Sequence, residues 1–175
     1  TKSESYLGSE KYSTSIKPLT GKNEIDSLLF NYQFDDTKTE YWDSYQNSGD
    51  LSNTISFSFF DTKLLLLDEA DYSKEEELWN NGFFSISEAQ KEDIRGALGE
   101  LEEIINVKFV EVTEVNDQIG TVRFGISKND DFYAFAFQPG SYWPSSGDIW
   151  FSDDFYGADF DRGTYEFRTL LHELG

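Results

Sequence analysis

Residues Thr54 to Phe60 alternate Ile55, Phe57 and Phe59 against Ser56 and Ser58, the period-two pattern of a strand with one buried face. From Ser87 the period changes. Ile94, Ala97, Leu98, Leu101, Ile104 and Ile105 recur at helical spacing, and S-E-A-Q supplies a capping box with Gln90 at N3, so a long helix is predicted to end near Asn106. Gly96 and Gly99 fall inside it at a cost in propensity. They are read as permitting close packing, because no phosphate-binding glycine pattern surrounds them. Four further strands are predicted over Val107 to Thr113, Thr121 to Ile126, Phe132 to Phe137 and Asp148 to Phe151, divided by Asn, Asp, Gly and Pro clusters. At the end of the chain Phe167, Leu170, Leu171 and Leu174 form one apolar stripe on a helix. The elements describe an α/β (α+β) fold, a mixed five-stranded sheet with helices packed on it.

The remaining segments are less patterned. Thr1 to Gly21 is polar and without sustained period, so residues 1–22 read as an N-terminal arm and 23–175 as the folded unit. Asn23 caps a short predicted helix with Ile25, Leu28 and Leu29 on one side, and a polar loop follows to Asn53. Asp61 to Phe84 reads as an irregular insertion with a helical turn near Lys74 to Trp79. Its acidic residues read as a solvated face, with a calcium site as the functional alternative.

Composition narrows the function classes. Thirty-four acidic residues against fourteen basic give a net charge of −20, which disfavours nucleic acid and anionic membranes as partners. No segment approaches the run of about 18 apolar residues that a membrane span needs, so no membrane insertion is expected. Sixteen Phe, ten Tyr and four Trp supply the buried surface of a folded core. There is no cysteine, so any zinc must use histidine or carboxylate.

The candidate chemistry is at His172 and Glu173. His172 lies roughly 140° around the helix from Phe167, outside the apolar stripe, where an imidazole could reach a metal. The dipeptide is the first half of H-E-x-x-H, in which two histidines one turn apart bind zinc and the glutamate acts as general base. A lone His-Glu at a helix end also reads as an ordinary solvated face. No acidic residue among Asp153, Asp154, Asp159 and Asp161 stands at an evident ligand spacing from His172, and D-F-D-R-G at Asp159 to Gly163 does not have EF-hand spacing.

Taken in order, N-E-I-D-S-L-L, T-I-S-F-S-F-F-D, F-S-I-S-E-A-Q to I-N-V-K-F-V-E-V-T-E, G-T-V-R-F-G, Y-A-F-A-F-Q-P-G, G-D-I-W-F-S and Y-E-F-R-T-L-L-H-E-L-G resemble the N-terminal part of a serralysin-like zinc metalloendopeptidase, a metzincin. The resemblance implies a twisted mixed sheet, a long packing helix and a C-terminal active-site helix. It implies His172 as the first zinc ligand and Glu173 as the general base toward a zinc-bound water whose pKa falls to about 7. It also implies that Tyr133, Ala134, Phe135, Ala136 and Phe137 bind an extended protein or peptide substrate as an added strand, and that the enzyme is secreted and extracellular. The family motif continues H-E-x-x-H-x-x-G-x-x-H to a Met-turn, whereas this chain has one histidine and no methionine. Two zinc ligands are thus expected in a missing C-terminal part of the same protease, with these 175 residues inactive alone. Two other readings stay open: a peptide-binding or interaction module without the metal site, and an acidic structural domain in which His172 is a surface residue.

Overall fold

A computed structural model describes residues 14–18, 38–42, 54–60, 82–105, 107–114, 119–128, 132–137 and 147–174. The strands are β1 (Thr14–Pro18), β2 (Lys38–Trp42), β3 (Thr54–Phe59), β4 (Phe83–Phe84), β5 (Lys108–Glu111), β6 (Val122–Ser127), β7 (Ala134–Ala136) and β8 (Asp148–Phe151). The helices are α1 (Glu88–Ile104) and α2 (Tyr165–Leu174), with a 3₁₀ turn at Asp153–Phe155. The main sheet runs β5-β3-β6-β8-β7, and β4 pairs with the end of β6. Neighbours are parallel from β5 through β3 and β6 to β8; β7 is antiparallel to β8 and stands at the edge. The mixed α/β architecture expected from the sequence is therefore present.

Side-chain alternation gives the sheet two unlike buried faces. On one, Phe57, Phe59, Val122, Phe124, Ile126, Ile149 and Phe151 join Ile94, Ala97 and Leu98 of α1 and Leu170 of α2 in a single core. On the other lie Ser56, Ser58, Phe60, Arg123, Gly125, Asp148 and Trp150, all deeply placed. Arg123 is fully buried there: its guanidinium donates to both carboxylate oxygens of Glu114 at 2.8 and 3.0 Å and sits 3.7 Å from the Phe60 ring centroid. The Ser58 hydroxyl donates to the same carboxylate at 2.7 Å, and Asp148 lies 3.8 Å from the guanidinium. Gly125 has no alternative at its position. A Cβ would lie 2.6 Å from the Trp150 ring and 2.8 Å from the Phe60 ring, and those two rings stack at 4.4 Å.

Helix α1 begins as predicted. Ser87 Oγ accepts from the Gln90 N–H at 3.3 Å, and Gln90 Oε1 accepts from the Ser87 N–H at 3.2 Å. The Gln90 amide also donates to the carbonyls of Phe155 and Ala158 at 2.7 and 2.9 Å, which ties the helix start to the loop that leads into α2. Gly96 and Gly99 do not serve close packing: a Cβ at either meets nothing within 4 Å, because both lie on the solvent side of α1.

Several boundaries differ from the sequence reading. The observed β5, β6 and β7 occupy Lys108–Glu111, Val122–Ser127 and Ala134–Ala136 within or beside the longer predicted segments. Strand β1 falls in the stretch read as an arm, and β2 in the stretch read as a loop; they pair antiparallel, Ile16 opposite Glu40. β4 is an additional two-residue strand, Phe84 opposite Ile126. Backbone pairing between distant segments leaves no local period, which explains these omissions. The helix predicted after Asn23 and the turn near Lys74 to Trp79 lie outside the described residues. Among the described residues no helix is long and apolar enough to cross a membrane.

Two stability predictions follow from this packing. Gly96→Ala and Gly99→Ala are each expected to raise unfolding free energy by about 1 kcal/mol through helix propensity, whereas Gly125→Ala is expected to lower it by about 1–3 kcal/mol through overpacking; urea unfolding measures all three. Arg95 donates to Glu111 at 2.6 and 2.9 Å, joining α1 to β5, and this hydrogen bond holds the Glu111 carboxyl below its ordinary value. A depressed carboxyl stabilises the fold above its unfolded pKa, and that contribution is lost as pH falls through the folded pKa. Both side chains are about a third exposed, so Glu111→Gln is expected to cost about 0.2–1 kcal/mol at neutral pH and nothing in strong acid.

Candidate functional site

The last helix is placed by its first turn. Thr164 Oγ1 accepts from the Phe167 N–H at 3.0 Å and donates to the Asp161 carbonyl at 2.8 Å, closing the turn that enters α2. Gly163, at φ +97°, supplies the left-handed residue that this turn requires. Leu170 is completely buried, and Phe167, Leu171 and Leu174 pack against the same core. The predicted stripe is thus the buried face, and His172, one position past Leu171, is exposed.

Glu173 takes a different position from its neighbour. It is half-buried, and its carboxylate accepts a hydrogen bond from the Ala136 N–H on β7. Burial pushes its carboxyl above the ordinary value, while the adjacent His172 and the Ala136 N–H pull it partly back. Ala136 lies on the strand named for substrate binding, so the general-base candidate and the strand meet at one point.

The ladder of β7 shows which of its backbone groups face away from β8. The Tyr133 carbonyl accepts from the Ser152 N–H at 2.9 Å. The Phe137 N–H donates to the Asp148 carbonyl at 2.9 Å, and the Phe137 carbonyl accepts from the Gly147 N–H at 3.1 Å. By antiparallel alternation Tyr133, Phe135 and Phe137 turn their backbone toward β8, and Ala134 and Ala136 turn theirs outward. Among the described residues no strand pairs with that outer side. Phe135 and Phe137 pack with Phe60 and Trp150 on one face of the sheet, and Ala134 and Ala136 with the helix-side core on the other.

Among the described residues no zinc site is complete. A catalytic zinc takes three protein ligands from His, Asp, Glu or Cys, and the chain has one histidine and no cysteine. Among the described residues no group of potential ligands includes His172. The cluster that does form is Asp93, Asp159 and Asp161, whose carboxylate oxygens lie within 4.8 Å of one another. It is an oxygen set of the kind calcium prefers and zinc does not. Burial, opposed by a hydrogen bond from the Phe160 backbone and reinforced by Asp161 and Asp159, raises the Asp93 carboxyl. Spacing alone missed this group because Asp93 is on α1, far in sequence from Asp159 and Asp161.

No protein-family model matches the chain, and no curated protein matches it.

The position of Glu173 generates a sign-specific prediction. A carboxyl raised in the folded state penalises the fold once pH exceeds that pKa, because ionisation is harder there than in the unfolded chain. Glu173→Gln is therefore expected to raise the urea midpoint at neutral pH, with the gain disappearing in acid. A loss of stability at neutral pH would show that the carboxylate is a structural anchor instead.

Proposed function

We propose that the chain is the N-terminal subdomain of a zinc-dependent endopeptidase of the metzincin, serralysin-like kind. The observation that carries the proposal is the hydrogen bond between the Glu173 carboxylate and the Ala136 N–H, which puts a proton acceptor at the open edge of an antiparallel strand. The sheet order, with antiparallel β7 at its edge, supports the same reading, as does an exposed His172 one residue from Glu173. Chemically, an extended peptide pairs with the outward N–H and carbonyl of Ala134 and with the carbonyl of Ala136, whose N–H is held by Glu173. Its carbonyl then lies beside Glu173, whose raised carboxyl suits it to accept a proton from an attacking water and return it to the leaving amine. Among the described residues no ligand set forms around His172, so the remaining zinc ligands come in this proposal from the rest of the same protease. Extracellular location belongs to the proposal through the same family likeness.

A second reading rests on the same edge strand combined with the incomplete ligand set: a peptide-binding module that works without metal. The two diverge in one experiment. The gene is expected to encode histidine directly after Gly175 and a third histidine at metzincin spacing. Protein expressed through that motif is expected to bind one zinc and hydrolyse peptides, with Glu173→Ala reducing the rate by at least about 100-fold. Absence of the motif, or hydrolysis unchanged by Glu173→Ala, would falsify the endopeptidase reading. Peptide-induced shifts of the Ala134 and Ala136 amides in chelator, without any hydrolysis by the extended protein, select the binding module.

A further inference from the structure

We infer that the exposed rings of Tyr133 and Tyr165, flanked by Asp154 and Glu166, form a subsite for one basic side chain of a peptide lying along β7. The inference rests on the edge-strand reading above and adds a charge preference to it. Tyr133 immediately precedes Ala134, so its ring stands at the start of the open edge. The ring meets Phe155 edge-on at 4.9 Å and Tyr165 edge-on at 5.0 Å. Phe155 is completely buried and anchors the group, whereas Tyr133 is 40% exposed and Tyr165 50%. Large aromatic surface left in water beside a sheet edge is surface that the core does not use.

Three features select a cation as the occupant. The Arg168 guanidinium already lies 4.7 Å from the Tyr165 ring centroid, so one of these rings holds a cation within the molecule itself. Asp154 lies in the 3₁₀ turn with Phe155 and Glu166 follows Tyr165 at the start of α2, and the charge of both carboxylates reaches the Tyr133 phenol. Burial first, then the charges of Glu166 and Asp154, push the Tyr133 phenol above its ordinary value, so both carboxylates act at the ring and the phenol stays neutral. Arg168 brings one positive charge to the Tyr165 ring, against the carboxylates of Asp154 and Glu166 that act on Tyr133. The net charge of −20 adds a general bias against an acidic occupant.

The strand fixes where the basic residue stands in the peptide. At about 3.3 Å per residue, Tyr133 is roughly 10 Å along β7 from Ala136, where Glu173 is held. The preferred lysine or arginine is therefore three positions from the peptide residue facing Ala136.

The test uses the 175-residue chain, isotopically labelled, and two otherwise uncharged extended peptides that differ only in lysine or norleucine at that position. Both are expected to shift the Ala134 and Ala136 amides, and the lysine peptide to bind about fivefold more tightly at low salt. That preference is expected to vanish in Tyr133→Leu, to fall by about half in Glu166→Gln, which leaves the ring packing intact, and to shrink as salt is added. Equal affinity for the two peptides, with shifts along β7 retained, overturns the basic subsite and leaves the edge-strand reading standing. No shift on β7 with either peptide overturns both.

Discussion

A fully buried guanidinium at the centre of the sheet constrains the rest of the structure. Arg123 belongs to β6, which has β3 on one side and β8 on the other. A buried charge is tolerated only when it is paired and hydrogen-bonded, and removing one partner of such a pair typically costs about 3–5 kcal/mol. Glu114, after β5, provides the bidentate partner; Ser58 on β3 donates to that carboxylate, and Asp148 on β8 completes the ring of charge. Four segments distant in sequence must therefore reach register together. This polar face specifies the strand order more strictly than an apolar face of similar volume would, because a slipped strand leaves a charge uncompensated.

The same face passes the constraint outward to the sheet edge. The Arg123 guanidinium lies over Phe60, Phe60 stacks on Trp150, and the absent Cβ of Gly125 makes room for both rings. Phe135 and Phe137 of β7 then pack against this pair. On the opposite face Gln90 clamps the loop after the 3₁₀ turn, and α2 begins from the Thr164 cap beyond it. Edge strand and final helix are thus fixed from two sides by independent interactions. Their meeting point, Ala136 with Glu173, inherits its precision from residues that have no chemistry of their own.

Elements with a local period were legible in the sequence. The alternation in T-I-S-F-S-F-F, the Ser87 capping box and the stripe through Leu170 each depend on neighbours within one element, and each is observed. Interactions between elements were not legible. Nothing in G-T-V-R-F-G distinguishes a buried arginine from an exposed one, because its partners are supplied by three other segments. Gly96 and Gly99 were misread for a related reason: a helical glycine has the same sequence signature whether it faces a neighbour or solvent. His172 and Glu173 were visible as a dipeptide, but the hydrogen bond to Ala136 and the grouping of Asp93 with Asp159 and Asp161 depend on tertiary placement.

His172 and Glu173, adjacent on α2, have different physical roles. His172 is exposed to solvent. Glu173 is opposed by burial, and the charge of His172 and a single N–H from β7 offset only part of that burden, so its carboxyl stays raised. A residue chosen for stability at this position would be uncharged. A carboxylate kept there against burial, with a compensating donor on the strand edge, fits the proton-acceptor role proposed for it.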